Sequence, residues 1–190
     1  MSQQERAAWD ERFRAGDHAD SEPDPFLLEL EEYAALFPPT RRALDVACGA
    51  GRNAVWLAER GWDTTGCDVS LEGLRSAQAL ARERGLRLRL FCQDLETFSP
   101  PAGLFDLIIC FFYLQRSLFP ALKTALRSGG LIVYKTYTID QQKHSGGPRH
   151  PLHLLQPQEL LEQFKDFRVL SYREVVRDRG VAQLIAQAPH

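Results

Sequence analysis

Apolar and polar residues follow two periods along this chain. Between Arg42 and Tyr137, short β-type apolar runs alternate with stretches of helical spacing. The β-type runs are Arg42–Cys48, Thr64–Val69, Leu86–Gln93, Phe105–Phe112 and Leu131–Tyr137. Phe105–Phe112 is apolar apart from Asp106, as a strand buried on both faces requires. The intervening helices are expected at Arg52–Arg60, Leu71–Arg84 and Ser117–Leu126. Ser70 is a good N-cap for the second, whose apolar stripe reads Leu71, Leu74, Ala77 and Ala81. This alternation predicts an α/β chain: a Rossmann-like, doubly wound, mostly parallel sheet with helices on both faces.

The flanks depart from that rhythm. Residues 3–15 predict a polar helix with Trp9 and Phe13 on one face, ended by Gly16. Residues 17–25 are acidic and contain Pro23 and Pro25, so they read as a loop. A helix from Pro25 to Leu36 is stopped by Pro38 and Pro39. Beyond Tyr137, residues 138–156 are rich in Gly, Pro, His and Gln and predict a mobile lid. A short helix, Gln158–Phe164, precedes two strands, Arg168–Val176 and Val181–Ala188, joined through Asp178-Arg179-Gly180. They bring the sheet to seven strands with an antiparallel C-terminal hairpin.

Composition narrows the partners. A length of 190 residues suits one compact domain, and a net charge of −2 argues against nucleic acid. There is no leader-like segment, and no apolar run approaches the roughly 20 residues of a membrane helix. The expectation is a cytoplasmic monomer or homodimer with a small-molecule substrate and no membrane partner. Cys48, Cys67, Cys92 and Cys110 show no CxxC and no histidine at ligand spacing. They read as reduced packing residues, with no metal site.

The chemistry concentrates in Asp45-Val46-Ala47-Cys48-Gly49-Ala50-Gly51-Arg52-Asn53. An acidic residue inside a strand leads into a small-residue loop and then a helix. Gly49 and Gly51 allow close ligand approach, and the helix start offers unpaired N–H groups to an anionic group. Asp68, ending the next strand, can accept hydrogen bonds from two ribose hydroxyls. Gly49-x-Gly51-x-x-Ala54 also matches a dinucleotide fingerprint, which keeps a nicotinamide-dependent oxidoreductase open as an alternative. Asp45 tilts the choice: a carboxylate there repels a pyrophosphate and attracts an ammonium or sulfonium. The short chain also leaves little room for a separate substrate domain.

Asp45-Val46-Ala47-Cys48-Gly49-Ala50-Gly51 resembles the first motif of class I S-adenosylmethionine-dependent methyltransferases, with Ala47 in place of the motif's first glycine. The resemblance implies S-adenosylmethionine as cofactor, with Gly49 and Gly51 along its methionine part and Asp68, followed by Val69, at the ribose. Gln93-Asp94-Leu95 resembles the adenine-binding segment, and Phe111–Leu114 the segment beside the reacting methyl. Trp9–Phe13, Pro25-Phe26-Leu27 and Gly51-Arg52-Asn53-Ala54 are most similar to the tellurite-resistance type of small methyltransferase. That type implies that Trp9 covers the cofactor, residues 1–39 forming a helical cap and residues 40–190 the methyltransferase domain.

Methyl transfer from a sulfonium is an in-line displacement in which the cofactor supplies the hard chemistry. A base is needed only for an acceptor that carries a proton. Tyr113, Arg116 and His150 are the catalytic candidates; Arg116, Tyr137 and Arg149 are the candidates for binding substrate. Arg52 can pair with a cofactor carboxylate. A metalloid oxyanion such as tellurite or selenite, or a thiol, fits as acceptor, with Arg116 holding an oxyanion. Phe111-Phe112-Tyr113-Leu114 lacks the Pro-Pro clamp of base-methylating enzymes. The absence of an assignable base leaves a non-catalytic cofactor-binding module as a third reading.

Overall fold

In the computed structural model, residues 3–17 and 20–190 are described. Part of the acidic 17–25 loop therefore lies outside the described residues. The chain falls into two compact units, one up to Ser99 and one from Pro100. The strand order is β3-β2-β1-β4-β5-β7-β6, the seven-stranded, mostly parallel Rossmann-like sheet with an antiparallel C-terminal hairpin.

In the first unit, α1 (Gln3–Arg14) ends at Gly16, whose φ of +84° closes the helix. The expected helix over Pro25–Leu36 forms only one α-turn, α2 (Pro25–Leu28), capped by Asp24. It continues as a 3-10 stretch to Leu36 that kinks at Tyr33. Helical geometry in a short segment is held by packing, and here only Phe26, Leu27 and Leu30 are buried.

Strands β1 (Arg42–Val46), β2 (Asp63–Asp68) and β3 (Arg89–Cys92) run parallel, with α3 (Arg52–Glu59) and α4 (Leu71–Glu83) between them. The Ser70 hydroxyl accepts the Gly73 N–H at 3.1 Å, as the cap prediction requires. The buried stripe of α4 is Gly73, Leu74, Ala77 and Ala81; Leu71, expected on it, is 42% exposed. The helix turns its glycine inward instead, so that a neighbouring side chain can approach.

In the second unit, β4 (Phe105–Phe111) is buried at every position and pairs in parallel with β5 (Leu126–Tyr137). The fifth strand begins at Leu126 rather than after Gly129-Gly130. Phe105 pairs with Leu126 but Leu107 with Leu131, so the glycines sit in a bulge within the strand. Helix α5 (Phe119–Ala125) connects the two, and α6 (Glu159–Gln163) leads to β6 (Arg168–Val175) and β7 (Val181–Gln187). Phe119, Tyr134, Phe164 and Phe167 form an aromatic cluster with ring centroids 5.4–5.7 Å apart between Phe119 and Tyr134, Phe119 and Phe164, and Phe164 and Phe167.

The 138–156 segment is stitched down rather than built as a lid. Leu154 and Leu155 are fully buried, and the Leu155 N–H donates to the Tyr137 carbonyl while its own carbonyl accepts from Ile139. Gln141 is buried too and accepts the Gly180 N–H at 3.0 Å. Apolar anchors at one end and a buried amide at the other override the loop-like composition.

Gly51 is the glycine on which helix packing turns. At φ +81° it lies so close to α4 that a Cβ would meet Ala77 Cβ at 2.5 Å and Ala77 Cα at 3.0 Å. The space its missing side chain leaves is therefore taken by α4. Gly51→Ala combines a left-handed alanine with a backbone collision and is expected to lower unfolding stability by about 2–4 kcal/mol. Urea denaturation of wild type and variant measures this directly.

Candidate functional site

The loop leaving β1 is held by the end of β2. Gly49 N–H donates to Asp68 Oδ2 at 2.9 Å, and Ser70 N–H donates to Asp68 Oδ1 at 2.8 Å. One carboxylate thus ties the glycine loop to the start of α4. The Asp68 carbonyl accepts the Gln93 N–H at 2.9 Å, bringing in the segment after β3. There Asp94 accepts the Glu96 N–H at 2.9 Å, forming a turn, and Leu95 is buried. Of the residues that the sequence groups, Asp45, the 47–51 loop, Asp68 and Asp94, these hydrogen bonds link the loop, Asp68 and the segment after β3.

Ala47 takes φ +57°, the left-handed region that favours glycine. The motif's preference for glycine at this point has its physical reason there. An alanine costs on the order of 1 kcal/mol, which the surrounding loop hydrogen bonds offset.

Asp45 is 2% exposed, one residue inside the end of β1. Its carboxylate accepts the Ala54 N–H from the first turn of α3, yet Oδ2 has no hydrogen-bond partner among the described residues. Burial, followed by the nearby Asp68 charge, pushes Asp45 well above the ordinary carboxylate range. Asp68 is also raised by burial, against the opposing pull of the Ser70 and Gly49 N–H groups. A desolvated carboxylate with an open oxygen favours a cation. The start of α3 next to it favours an anion. Together they suit a zwitterionic amino acid, which is what the methionine end of S-adenosylmethionine carries.

Helix α1 packs beside this loop. A Cβ on Gly49 would meet Phe13 Cζ at 3.1 Å, and one on Gly73 would meet Phe13 Cε2 at 2.9 Å. Phe13, rather than Trp9, therefore lies on the glycines; the Trp9 ring sits 6.2 Å from that of Phe13, half-buried, with Arg12 over it. Asp10 docks the helix: its Oδ1 accepts from Ser70 Oγ at 2.6 Å and from Glu72 N–H at 3.2 Å. No local pattern announces Asp10, because its partners lie some sixty residues away.

Arg52 and Asn53 are turned toward the segment before α2. Arg52 Nη1 is 3.0 Å from Asp20 Oδ2, and Asn53 Oδ1 accepts the Asp24 N–H at 2.9 Å. Val69 is buried behind the β2 terminus.

In the second unit, Arg116, expected to hold an oxyanion, is engaged within the protein. Its guanidinium grips Glu159 with two bonds of 2.6 and 2.9 Å and donates to the Leu152 and Leu154 carbonyls at 3.0 and 2.9 Å. Planar bidentate geometry suits a carboxylate, and the one it found belongs to α6. Arg149 donates to the Gln142 and His144 carbonyls at 3.4 and 3.3 Å, and His150 Nδ1 accepts the Leu152 N–H at 3.3 Å. These side chains order the 138–156 segment. Tyr113 is half-buried, and its carbonyl accepts Tyr134 Oη at 2.9 Å.

Phe111 is buried at the end of β4, and Phe112 follows it at φ +56°. A bulky L-residue in that region is strained by about 1–2 kcal/mol, and such strain gathers at functional sites. Its N–H donates to the Lys135 carbonyl at 2.7 Å, and its ring lies 5.1 Å from that of Tyr137. The sequence places Phe112 within the 111–114 segment but does not foretell its positive φ, which leaves no trace in a one-dimensional pattern. All four cysteines are free thiols, and Cys92 alone of them is exposed. Among the described residues no helix is long and apolar enough to cross a membrane, and no group of three acidic, His or Cys side chains is arranged for a metal.

Residues 43–130 match the family described as "Methyltransferase domain". The chain is 33% identical over 103 residues to a ubiquinone biosynthesis O-methyltransferase of Idiomarina loihiensis, covering 50% of this chain and 42% of that one. It is 31% identical over 148 residues to a glycine/sarcosine N-methyltransferase of Halorhodospira halochloris, covering 73% and 52%. This chain thus spans about half of these two relatives' lengths. The crystal structure of TehB from Haemophilus influenzae superposes with a TM-score of 0.72 at 18% identity, over 95% of this chain and 67% of that one, which shows a common fold. Fold, glycine loop and family match thus agree in likening residues 43–130 to a methyltransferase domain. The two readings of the glycine loop resolve in favour of S-adenosylmethionine.

Asp45 gives a test with opposed signs. Its raised folded-state pKa means that the protonated form stabilises the fold, a contribution present at low pH and lost as pH rises through the raised value. Asp45→Asn keeps an acceptor for Ala54 and removes the buried charge. Its thermal midpoint at neutral pH is expected to rise, while S-adenosylhomocysteine affinity falls about tenfold or more. Differential scanning fluorimetry with and without ligand reads both effects.

Proposed function

We propose that this chain transfers the methyl group of S-adenosylmethionine to a small organic acceptor. The observation that carries the reading is the open, buried oxygen of Asp45 beside the Asp68-tied glycine loop. In this reading Asp45 faces the cofactor's ammonium, and the first turn of α3 faces its carboxylate. Asp68 uses one acceptor site per oxygen on Gly49 and Ser70, and a carboxylate offers about four, so capacity remains for two ribose hydroxyls. Asp94 and Leu95 frame the adenine, and α1 with Trp9 and Phe13 caps the site as part of residues 1–39. When bound, the cofactor supplies an electrophilic methyl group; the protein binds, orients and excludes water.

An organic acceptor is favoured over a metalloid oxyanion such as tellurite. Arg116, the oxyanion anchor that reading needs, is engaged with Glu159. The two relatives named above are O- and N-methyltransferases, and their names point to organic molecules.

Calorimetry with S-adenosylhomocysteine tests the proposal. Wild type is expected to bind saturably, and Asp68→Ala to bind at least about tenfold more weakly. A wild-type protein that ignores millimolar ligand, or that instead gives a saturable NADH fluorescence signal, contradicts it.

A further inference from the structure

Within the first unit, α1 lies across the ends of β1, β2 and β3. Arg6, Asp10 and Phe13 are spaced i, i+4 and i+7 and so share one face of the helix. Phe13 rests on Gly49, after β1, and on Gly73 in α4. Asp10 Oδ1 accepts from Ser70 Oγ at 2.6 Å and from Glu72 N–H at 3.2 Å, just past the end of β2. Arg6 Nη2 donates to Cys92 Sγ at 2.6 Å, at the end of β3. One helix face thus reaches the three strand ends to which the reading above assigns the methionine part, ribose and adenine of the cofactor.

The attachment is thin. Of the α1 side chains described, none is buried; Trp9, Asp10 and Phe13 are half-buried and the others exposed. A helix of twelve residues is marginal in water by itself and owes its stability to a packed apolar face. By contrast, α4 buries Gly73, Leu74, Ala77 and Ala81. A segment with few buried apolar contacts opens locally, at far less cost than global unfolding. Docking of α1 therefore leans on Asp10, whose charge strengthens both bonds it accepts at the start of α4. The glycine loop does not share that dependence. The bonds that shape it, Asp68 with the Gly49 and Ser70 N–H groups and Asp45 with the Ala54 N–H, involve no atom of α1. The loop keeps its form when the helix leaves.

Resting on the methyltransferase reading above, we propose that α1 is a gate on cofactor exchange and Asp10 its latch. The helix undocks to admit or release the cofactor and redocks over it. Asp10 is a positioning residue: it holds the helix and takes no part in the transfer. A latch that acts on the gate alone loosens the empty and the loaded protein equally. Its loss speeds entry and release by the same factor and leaves the affinity unchanged. A residue that only supports binding behaves differently, since its loss speeds release alone and weakens affinity to match.

The test is surface plasmon resonance of S-adenosylhomocysteine on immobilised full-length protein. Asp10→Ala is expected to speed association and release, each at least about fivefold, while Kd moves less than about threefold. Asp10→Asn keeps the acceptor without the charge and should fall between Asp10→Ala and wild type. Hydrogen exchange on ligand-free wild type needs no variant, so a misfolded Asp10→Ala does not rescue the idea. There the α1 amides are expected to exchange at least about a hundredfold faster than those of α4. Unchanged rates, faster release with unchanged association, or α1 amides as protected as those of α4 overturn the gate. Wild type that binds no S-adenosylhomocysteine overturns the methyltransferase reading and the gate with it, whereas wild type that binds it with rates indifferent to Asp10 overturns the gate alone.

Discussion

Two carboxylates, Asp45 and Asp68, are buried close enough for the charge of one to raise the other, and the first unit is organised around that cost. Asp68 is satisfied from both sides by backbone N–H groups and thereby fixes the glycine loop against the start of α4. Asp45 receives one N–H from α3 and keeps an oxygen open. A buried, half-satisfied carboxylate is unfavourable in an empty fold and favourable when a cation arrives.

The remaining features of this unit serve that arrangement. Gly51 lets α3 approach α4 at Ala77, setting the direction of the helix start that faces the loop. Asp10 fastens α1 to Ser70 and Glu72, at the same helix end that Asp68 reaches through Ser70 N–H. Phe13 then rests on Gly49 and Gly73. A connected set of hydrogen bonds therefore links α1 to the glycine loop within one unit.

Much of this was legible in the sequence, for a physical reason. The strands of β1, β2 and β4 are buried runs whose composition is dictated by a parallel sheet, and Ser70 and Gly16 mark helix ends by local chemistry. The glycine loop and the two acidic strand ends are also local. What escaped depends on distant partners. Arg116 looked free until Glu159 and the Leu152 and Leu154 carbonyls were brought to it. The 138–156 segment looked loose because two leucines and one glutamine do not advertise burial. Phe112 looked like ordinary strand, although its φ reverses the face it presents. The missing glycine at Ala47 read as a small departure, and its φ of +57° shows the strain that departure carries.

The Asp45 carboxylate is desolvated in the free protein, and a cationic cofactor is expected to relieve that cost. Carboxyl carbon NMR of selectively labelled aspartates, titrated in pH with and without saturating S-adenosylhomocysteine, measures it most directly. The Asp45 resonance is expected to titrate well above the ordinary carboxylate range in the free protein and to shift to lower pH when the ligand binds. An Asp45 that titrates normally in the free protein, or whose titration the ligand leaves unchanged, would contradict it.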